Sequence, residues 1–203
     1  LATGEVVLPD AFDTRGGIGD DNRVRNQGVS LTAAWELTDA ITLKSITAYR
    51  EGQTDTLIDF DTSPKPALDV PGYYEDDQTT QELQFLYEGE RLHGVAGLYY
   101  LDAHAAGKFD TIVGLLNLTI ATSGFVDTTS YAAYADFSYD FTDKLSASLG
   151  GRYTSDEKEG GVYRQNFTGL YSPLFGNDAA VPGLVRSDYT NDRTFDQFTP
   201  RAS

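Results

Sequence analysis

Strict alternation of side-chain character is the feature that most constrains what this chain can fold into. In segments 29–37, 131–141 and 145–154, apolar or aromatic residues occupy almost every second position, with polar or small residues between them. Because a β-strand sends successive side chains to opposite faces, this period of two predicts strands with one apolar and one polar face. We expect these residues to share the apolar face: Val29, Leu31, Ala33, Trp35, Phe137, Tyr139, Leu145 and Leu149.

Other segments show the same pattern less regularly, and the composition supports interpreting them as strands too. The chain holds 13 Tyr, 11 Phe, 1 Trp, 20 Gly and no Met, a mixture that favours β-structure. The sequence therefore predicts about seven strands, near 27–37, 41–52, 78–88, 91–101, 129–141, 145–155 and 195–203.

The connections between these strands alternate in length. Short turns fall at Thr38-Asp39, 88–91 and Thr142-Asp143, whereas the segments 53–77, 102–128 and 155–194 are long and rich in Asp, Gly, Pro and Asn. Loops beyond about 12 to 15 residues are uncommon in compact domains, but barrels of the bacterial outer membrane combine short turns with long external loops. The pattern predicts an all-β fold: an antiparallel transmembrane β-barrel with short turns on one side and long loops on the other. A soluble sheet with an aromatic core is the alternative.

Charge and cysteine content exclude several classes of function. The formal net charge is −16, from 15 basic and 31 acidic residues, so a phosphate-binding surface for nucleic acid is not expected. The absence of Cys removes disulfides, thiolate metal sites and Cys nucleophiles.

The sequence offers no convergent catalytic or metal-binding set. His93 and His104 lie too far apart for the usual zinc spacings, and the Gly16–Gly19 segment lacks a P-loop lysine, so it is interpreted as a flexible loop. The acidic segment 53–77 could hold a divalent cation through oxygen ligands, but it has no EF-hand spacing. We therefore predict no enzyme activity and no cofactor, and assign no metal ligands.

Several motifs in chain order resemble the barrel of TonB-dependent outer-membrane receptors. They are SITAYRE (45–51), TTQELQF (79–85), GVAGLYYLDA (94–103), YAAYADFSYDFTDKLSASLGGRYTSDEKE (131–159) and FTPRAS (198–203). The resemblance implies a single-chain barrel of about 22 strands around a plug domain. Seven strands are about a third of such a barrel, so we expect residues 1–203 to be part of one β-barrel domain. Nothing in the sequence matches the plug domain or a TonB box.

The resemblance also implies a function and a location. Such receptors import a large, scarce nutrient, such as a ferric siderophore, a vitamin or an oligosaccharide, across the bacterial outer membrane. The implied partners are outer-membrane lipid, the receptor's own plug domain, TonB and the small-molecule or oligosaccharide substrate. A passive outer-membrane pore or small adhesive barrel is one alternative, and a soluble carbohydrate-binding β-domain is another.

Two sets of residues are candidates for functional contacts. Charged residues on the polar face would point into the lumen, where they could pair with the plug or simply be hydrated: Lys44, Arg50, Glu82, Asp136 and Arg152. Aromatic residues in the long connections could stack on a ligand or pack against one another. These are Tyr73, Tyr74, Tyr163, Phe167, Tyr171 and Phe175.

Overall fold

The fold is a single antiparallel sheet in which each strand pairs with the next strand along the chain. The computed structural model describes residues 8, 10 and 15–203. Their strands form one sheet of seven in the order of the sequence. The strands are β1 (Arg23–Thr38), β2 (Ile41–Asp59), β3 (Leu68–Glu88), β4 (Leu92–Val113), β5 (Leu118–Thr142), β6 (Leu145–Thr168) and β7 (Val181–Ala202).

The all-β, antiparallel fold class with about seven strands is confirmed, and the sheet is open. Within the described part of the chain, β1 pairs only with β2, and β7 pairs only with β6. Two single turns of 3-10 helix, Gly114–Leu116 and Pro173–Phe175, are the only helical segments among the described residues. None of the described residues forms a helix long and apolar enough to cross a membrane.

The short turns lie together at one end of the strands. The Glu88 amide donates a hydrogen bond to the Ala40 carbonyl (2.9 Å), and the Asp140 amide donates one to the Arg91 carbonyl (2.8 Å), so each turn contacts the next. The antiparallel pairing of β1 with β2 and of β5 with β6 through the two Thr-Asp turns is as predicted.

At the opposite end of the sheet the strands extend farther than the apolar alternation predicts. They run for 16 to 25 residues, whereas crossing a membrane takes about 9 to 11. The prediction of long loops was wrong for most of each range, because irregular connections occupy only 60–67, 114–117 and 169–180. Beyond a membrane both faces of a strand meet water. The apolar alternation therefore ends there, although the backbone ladder continues.

Strand register assigns each side chain to one of two faces, because residues paired across an antiparallel ladder lie on the same face. One row across the sheet contains Ala33, Ser45, Leu83, Leu98, Ala133, Tyr153 and Phe198. We call this side the outer face. The next row contains Lys44, Gln84, Gly97, Tyr134, Arg152 and Thr199, and we call its side the inner face.

The outer face carries the predicted apolar set. Val29, Leu31, Trp35 and Leu149 are each about 70% exposed there (69%, 70%, 70% and 73%). Ladder register and alternation place the remaining four predicted residues on the same face. This arrangement is typical of a barrel wall with lipid outside and a polar lumen inside.

The two faces predict opposite responses to a charge at adjacent alanines. In the whole barrel that contains this chain, Ala33→Arg on the outer face should lower the free energy of unfolding by about 2 to 4 kcal/mol, the cost of an arginine at mid-membrane. The matched variant Ala34→Arg, on the inner face, should change it far less. Urea unfolding in lipid vesicles measures both, and equal losses for the two variants would contradict the assignment of faces.

Candidate functional site

A hydrogen-bonded cluster occupies the inner face near the middle of the sheet. The Tyr134 hydroxyl, on β5, reaches across β4 and donates to Glu82 Oε1 on β3 at 2.5 Å. Gln84 Nε2 donates to the same oxygen at 3.0 Å. The Arg152 guanidinium lies 5.5 Å from the Tyr99 ring centroid and 5.9 Å from that of Tyr134, within cation–π range. Two of the predicted charges, Glu82 and Arg152, are thus brought together through Tyr134.

Gly97 makes this reach possible. It pairs directly with Tyr134 across the ladder, and the phenol ring passes over it. A Cβ atom at Gly97 would lie 2.5 Å from Tyr134 Cζ and 2.8 Å from the Leu83 carbonyl oxygen, both closer than van der Waals contact allows. Any other residue at this position would therefore displace the ring from Glu82.

The remaining predicted charges share the inner face without joining the cluster's hydrogen bonds. Asp136 forms an ion pair with Arg201 on β7, with Nη1 and Oδ2 3.0 Å apart. Among the described residues, Lys44 and Arg50 have no ion-pair partner. Sequence reasoning missed Tyr134 and Arg201, although an aromatic residue at a polar-face position was a usable signal for the first.

Substitution of Gly97 tests the cluster directly. We expect Gly97→Ala to lower the free energy of unfolding by about 1 to 3 kcal/mol, as overpacking typically does, by pushing the Tyr134 ring away from Glu82. In a Tyr134→Ala background the same change should cost less, because the clash with the ring is gone and only the contact with the Leu83 carbonyl oxygen remains. Urea unfolding of the four variants forms a double-mutant cycle. A Gly97→Ala cost independent of residue 134 would show that the clash lies elsewhere.

The predicted ligand-binding aromatics divide between the two faces. Tyr73 and Tyr163 lie on the outer face, in one row with Lys108 and Ser123. These four residues are among those that line a cavity of about 410 Å³. The Lys108 ammonium is 5.6 Å from the Tyr73 ring centroid and 5.3 Å from that of Phe175. The structure thus gathers three of the predicted aromatics around Lys108.

The connection between β6 and β7 folds back onto the outer face. The Ser172 hydroxyl donates to Asp110 Oδ2 at 2.7 Å, and the Leu174 amide donates to the same oxygen at 3.3 Å. The Tyr171 amide donates to Thr119 Oγ1 at 3.2 Å. The outer-face residues of β4 and β5 in this region are buried: Asp110, Ile112, Thr119 and Ala121.

The other two predicted aromatics lie on opposite faces. Phe167 is on the outer face, in the row of Thr119. Tyr74 is on the inner face, where its ring lies over Gly107. Five of the six predicted aromatics therefore belong to the outer side of the wall, and Tyr74 belongs to the inner side.

Asp110, which accepts hydrogen bonds from the β6–β7 connection, is a buried carboxyl group. Its side chain is fully buried, and Oδ1 has no hydrogen-bond partner among the described residues. Burial raises the pKa of this carboxyl above its ordinary value of 3.8, and the hydrogen bonds from Ser172 and Leu174 oppose that rise only in part. The docked connection therefore binds a proton at Asp110 more tightly than the undocked chain does.

This linkage predicts a pH dependence of docking. Because the pKa of Asp110 is raised in the docked state, docking is most favourable below about pH 3.8 and weakens as the pH rises through the raised pKa. After correction for intrinsic rates, amide exchange at 171–174 should be slower at pH 4 than at pH 7. In Asp110→Asn this pH dependence should disappear. Greater protection at neutral pH in the unmodified protein would contradict the proton linkage.

Beyond the apolar region, charges separate by face. The outer face is predominantly acidic, with Arg23, Arg25 and Lys108 among many acids: Glu51, Asp55, Glu75, Asp77, Asp102, Asp127, Glu157, Glu159, Asp188, Asp192 and Asp196. The inner face is richer in cations, with the basic residues Arg50, Lys158, Arg164 and Arg193, the acids Asp76 and Asp156, and the aromatic residues Tyr74, Phe109 and Tyr189. The net charge of the whole sequence does not reveal this separation. Extending the period of two into 155–194 would have found it.

Two cations of the inner face lie directly opposite each other. Lys158 on β6 pairs with Arg193 on β7, and neither forms an ion pair with another described residue. The Arg193 guanidinium lies 5.0 Å from the Phe195 ring centroid. Like charges directly opposite each other destabilise a sheet. An anion held between them would relieve that repulsion. This arrangement can therefore attract and bind an anionic ligand.

The sheet is open and antiparallel, with an apolar outer face, a charged inner face and short turns at one end of its strands. These features are typical of a segment of an outer-membrane β-barrel wall. The family model for "TonB dependent receptor-like, beta-barrel" matches residues 3–203, and the chain belongs to this family. Members of the family are outer-membrane transporters of Gram-negative bacteria rather than enzymes.

The fold is also similar to that of a solved receptor. The crystal structure of the ferric yersiniabactin uptake receptor FyuA from Yersinia pestis superposes with a TM-score of 0.66 over 93% of this chain, at 14% sequence identity. The chain spans 28% of the length of that receptor chain. No curated protein matches the sequence.

Proposed function

We propose that this chain forms part of the wall of a TonB-dependent receptor that imports a large, scarce, anionic nutrient across the outer membrane, with ferric siderophores as the leading substrate class. The family match over residues 3–203 is the observation that carries this proposal. A plug domain and TonB, both outside this sequence, would close the lumen and deliver energy from the inner membrane.

The charge separation supports an anionic substrate. Many ferric siderophores carry net negative charge, and the inner face offers Lys158 opposite Arg193 together with Tyr74 and Tyr189 for stacking. The acidic outer face would repel the same ligand, which favours approach through the mouth of the barrel. Neutral oligosaccharides would gain nothing from the cations, so a sugar substrate is less favoured.

Among the six aromatics predicted from the sequence, Tyr74 belongs to this proposed binding surface. Ligand contact by Tyr73, Tyr163, Phe167, Tyr171 and Phe175 remains a prediction. Tyr73 and Tyr163 line the cavity beside Lys108, and the Phe175 ring lies against the Lys108 ammonium.

The lumen-facing charges divide into two groups in this proposal. Glu82 and Asp136 already have partners on the wall, in Tyr134 and Arg201. Arg152 lies against the Tyr99 and Tyr134 rings. Lys44 and Arg50 have no such partners among the described residues, so they are the side chains best placed to pair with acidic groups of the plug.

A matched pair of charge reversals tests the substrate surface. In the complete receptor, Lys158→Glu on the inner face should raise the half-saturating concentration for uptake of an anionic ferric siderophore about tenfold, equivalent to about 1.4 kcal/mol of binding free energy. Arg25→Glu, on the outer face of β1 and outside the cavity beside Lys108, should leave it unchanged. Radio-iron uptake by a receptor-deficient strain carrying each variant measures this.

Energy dependence separates the receptor from its main alternative. A protonophore should abolish the same uptake, because the proposed receptor depends on inner-membrane energy. Uptake that survives the protonophore would favour a passive pore. Accumulation of cyanocobalamin or a maltooligosaccharide with no ferric siderophore uptake would keep the receptor class and overturn the substrate class.

A further inference from the structure

Three carboxylates converge at the tip of the β2–β3 hairpin. Asp59 ends β2, Asp61 lies in the connection and Asp69 is the second residue of β3, directly opposite Asp59 in the ladder. One oxygen from each lies within 4.8 Å of the other two. This separation suits oxygens that share one cation.

Backbone amides hold two of these carboxylates in place. Asp59 Oδ1 accepts from the amides of Asp61 (3.1 Å) and Thr62 (2.5 Å). Asp61 Oδ1 accepts from Ser63 (3.0 Å), and its Oδ2 accepts from Leu68 (2.7 Å). A carboxylate oxygen has two lone pairs, so these bonds fix the orientation of each group and leave acceptor capacity for a metal.

The segment before β1 covers the cluster. The Gly17 amide donates to Asp59 Oδ2 at 2.8 Å. A Cβ atom at Gly16 would lie 2.8 Å from that same oxygen, so a larger residue there would push the Asp59 carboxylate aside. The glycine-rich segment that the sequence analysis interpreted as a flexible loop is thus packed against the hairpin tip.

Asp69 is the observation that points to a ligand. It is only 4% exposed, and its Oδ1 is buried without a hydrogen-bond partner among the described residues. Burial, followed by the charges of Asp59 and Asp61, raises the pKa of Asp69. Lys65, in the same connection, forms no ion pair with the cluster. A buried carboxylate is normally paired or bound to a metal, and nothing described here pairs with this one.

We propose that Asp59, Asp61 and Asp69 form a calcium site that fastens the β2–β3 tip to the segment preceding β1. Three carboxylates and water give Ca²⁺ the six to eight oxygen ligands that it accepts in flexible geometry, whereas Mg²⁺ demands a near-ideal octahedron. The charge of the ion offsets most of the repulsion among the three acids. Affinity in the range of about 10⁻⁴ to 10⁻³ M, typical of extracellular modules, would keep the site filled outside the cell.

Calcium titration of the complete receptor tests this site independently of transport. Receptor stripped with a chelator is titrated with CaCl₂ by calorimetry, and amide exchange of 59–69 is followed with and without the ion. We expect slower exchange of this segment with Ca²⁺, and at least tenfold weaker binding in Asp69→Asn. The control Asp55→Asn, on the same hairpin and outside the cluster, should bind as the unmodified receptor does.

Asp69→Asn should also change amide exchange when no metal ion is present. Because Asp69→Asn removes one of three mutually repelling charges, its 59–69 segment should be better protected in chelator than that of the unmodified receptor. Absence of Ca²⁺-dependent protection, unchanged affinity in Asp69→Asn, or equal affinity for Mg²⁺ would each overturn the calcium assignment.

Discussion

Backbone hydrogen bonding is the constraint on which the rest of this structure depends. An amide or carbonyl in hydrocarbon has no water to bind, and each unsatisfied group costs several kcal/mol, so a strand that crosses a membrane must be paired along both edges. The ladder from β1 to β7 meets this requirement for every internal strand. It also fixes which side chains share a face, because the register runs with only local shifts at Glu36/Thr38, at Asp140/Thr142 and between Arg164 and Phe167. Both the apolar belt and the polar cluster follow from that register.

The same ladder continues beyond the apolar region, but the solvent around it changes and the chemistry of its faces changes with it. In the apolar region, Leu83 and Leu98 alternate with Glu82 and Tyr99. Farther from the short turns, acids on the outer face alternate with cations on the inner face, as at Glu157, Lys158 and Glu159. The period of two persists, and only the property that alternates is different. A wall built in this way presents an apolar belt, an acidic outer rim and an inner surface in which cations outnumber acids, all with one continuous register.

This change, from apolar alternation to charge alternation, explains why only part of each strand could be predicted from the sequence. Val29 to Leu37 and Leu145 to Tyr153 were predictable because apolar residues mark one face throughout. The segments 102–128 and 155–194 were interpreted as loops because their outer face is hydrophilic, although Thr, Val, Ile and Tyr residues there retain strand propensity. The contact of Tyr134 with Glu82 could not be predicted, since the residues are 52 positions apart and meet only when three strands adopt one register. The burial of Asp69 likewise depends on the folded connections above it.

Two buried carboxylates contact the connections at the end of the wall opposite the short turns. Asp69 lies in the acidic cluster at the β2–β3 tip, and Asp110 receives hydrogen bonds from the β6–β7 connection. Both lie on the outer face, so the connections are fastened to the outside of the wall rather than across its mouth. Burying an acid is costly, and that cost is offset only where amides, hydroxyls or a cation compensate the charge. With these connections anchored outside, Lys158, Arg193 and Tyr74 are exposed on the inner face, where the proposed anionic substrate would pass.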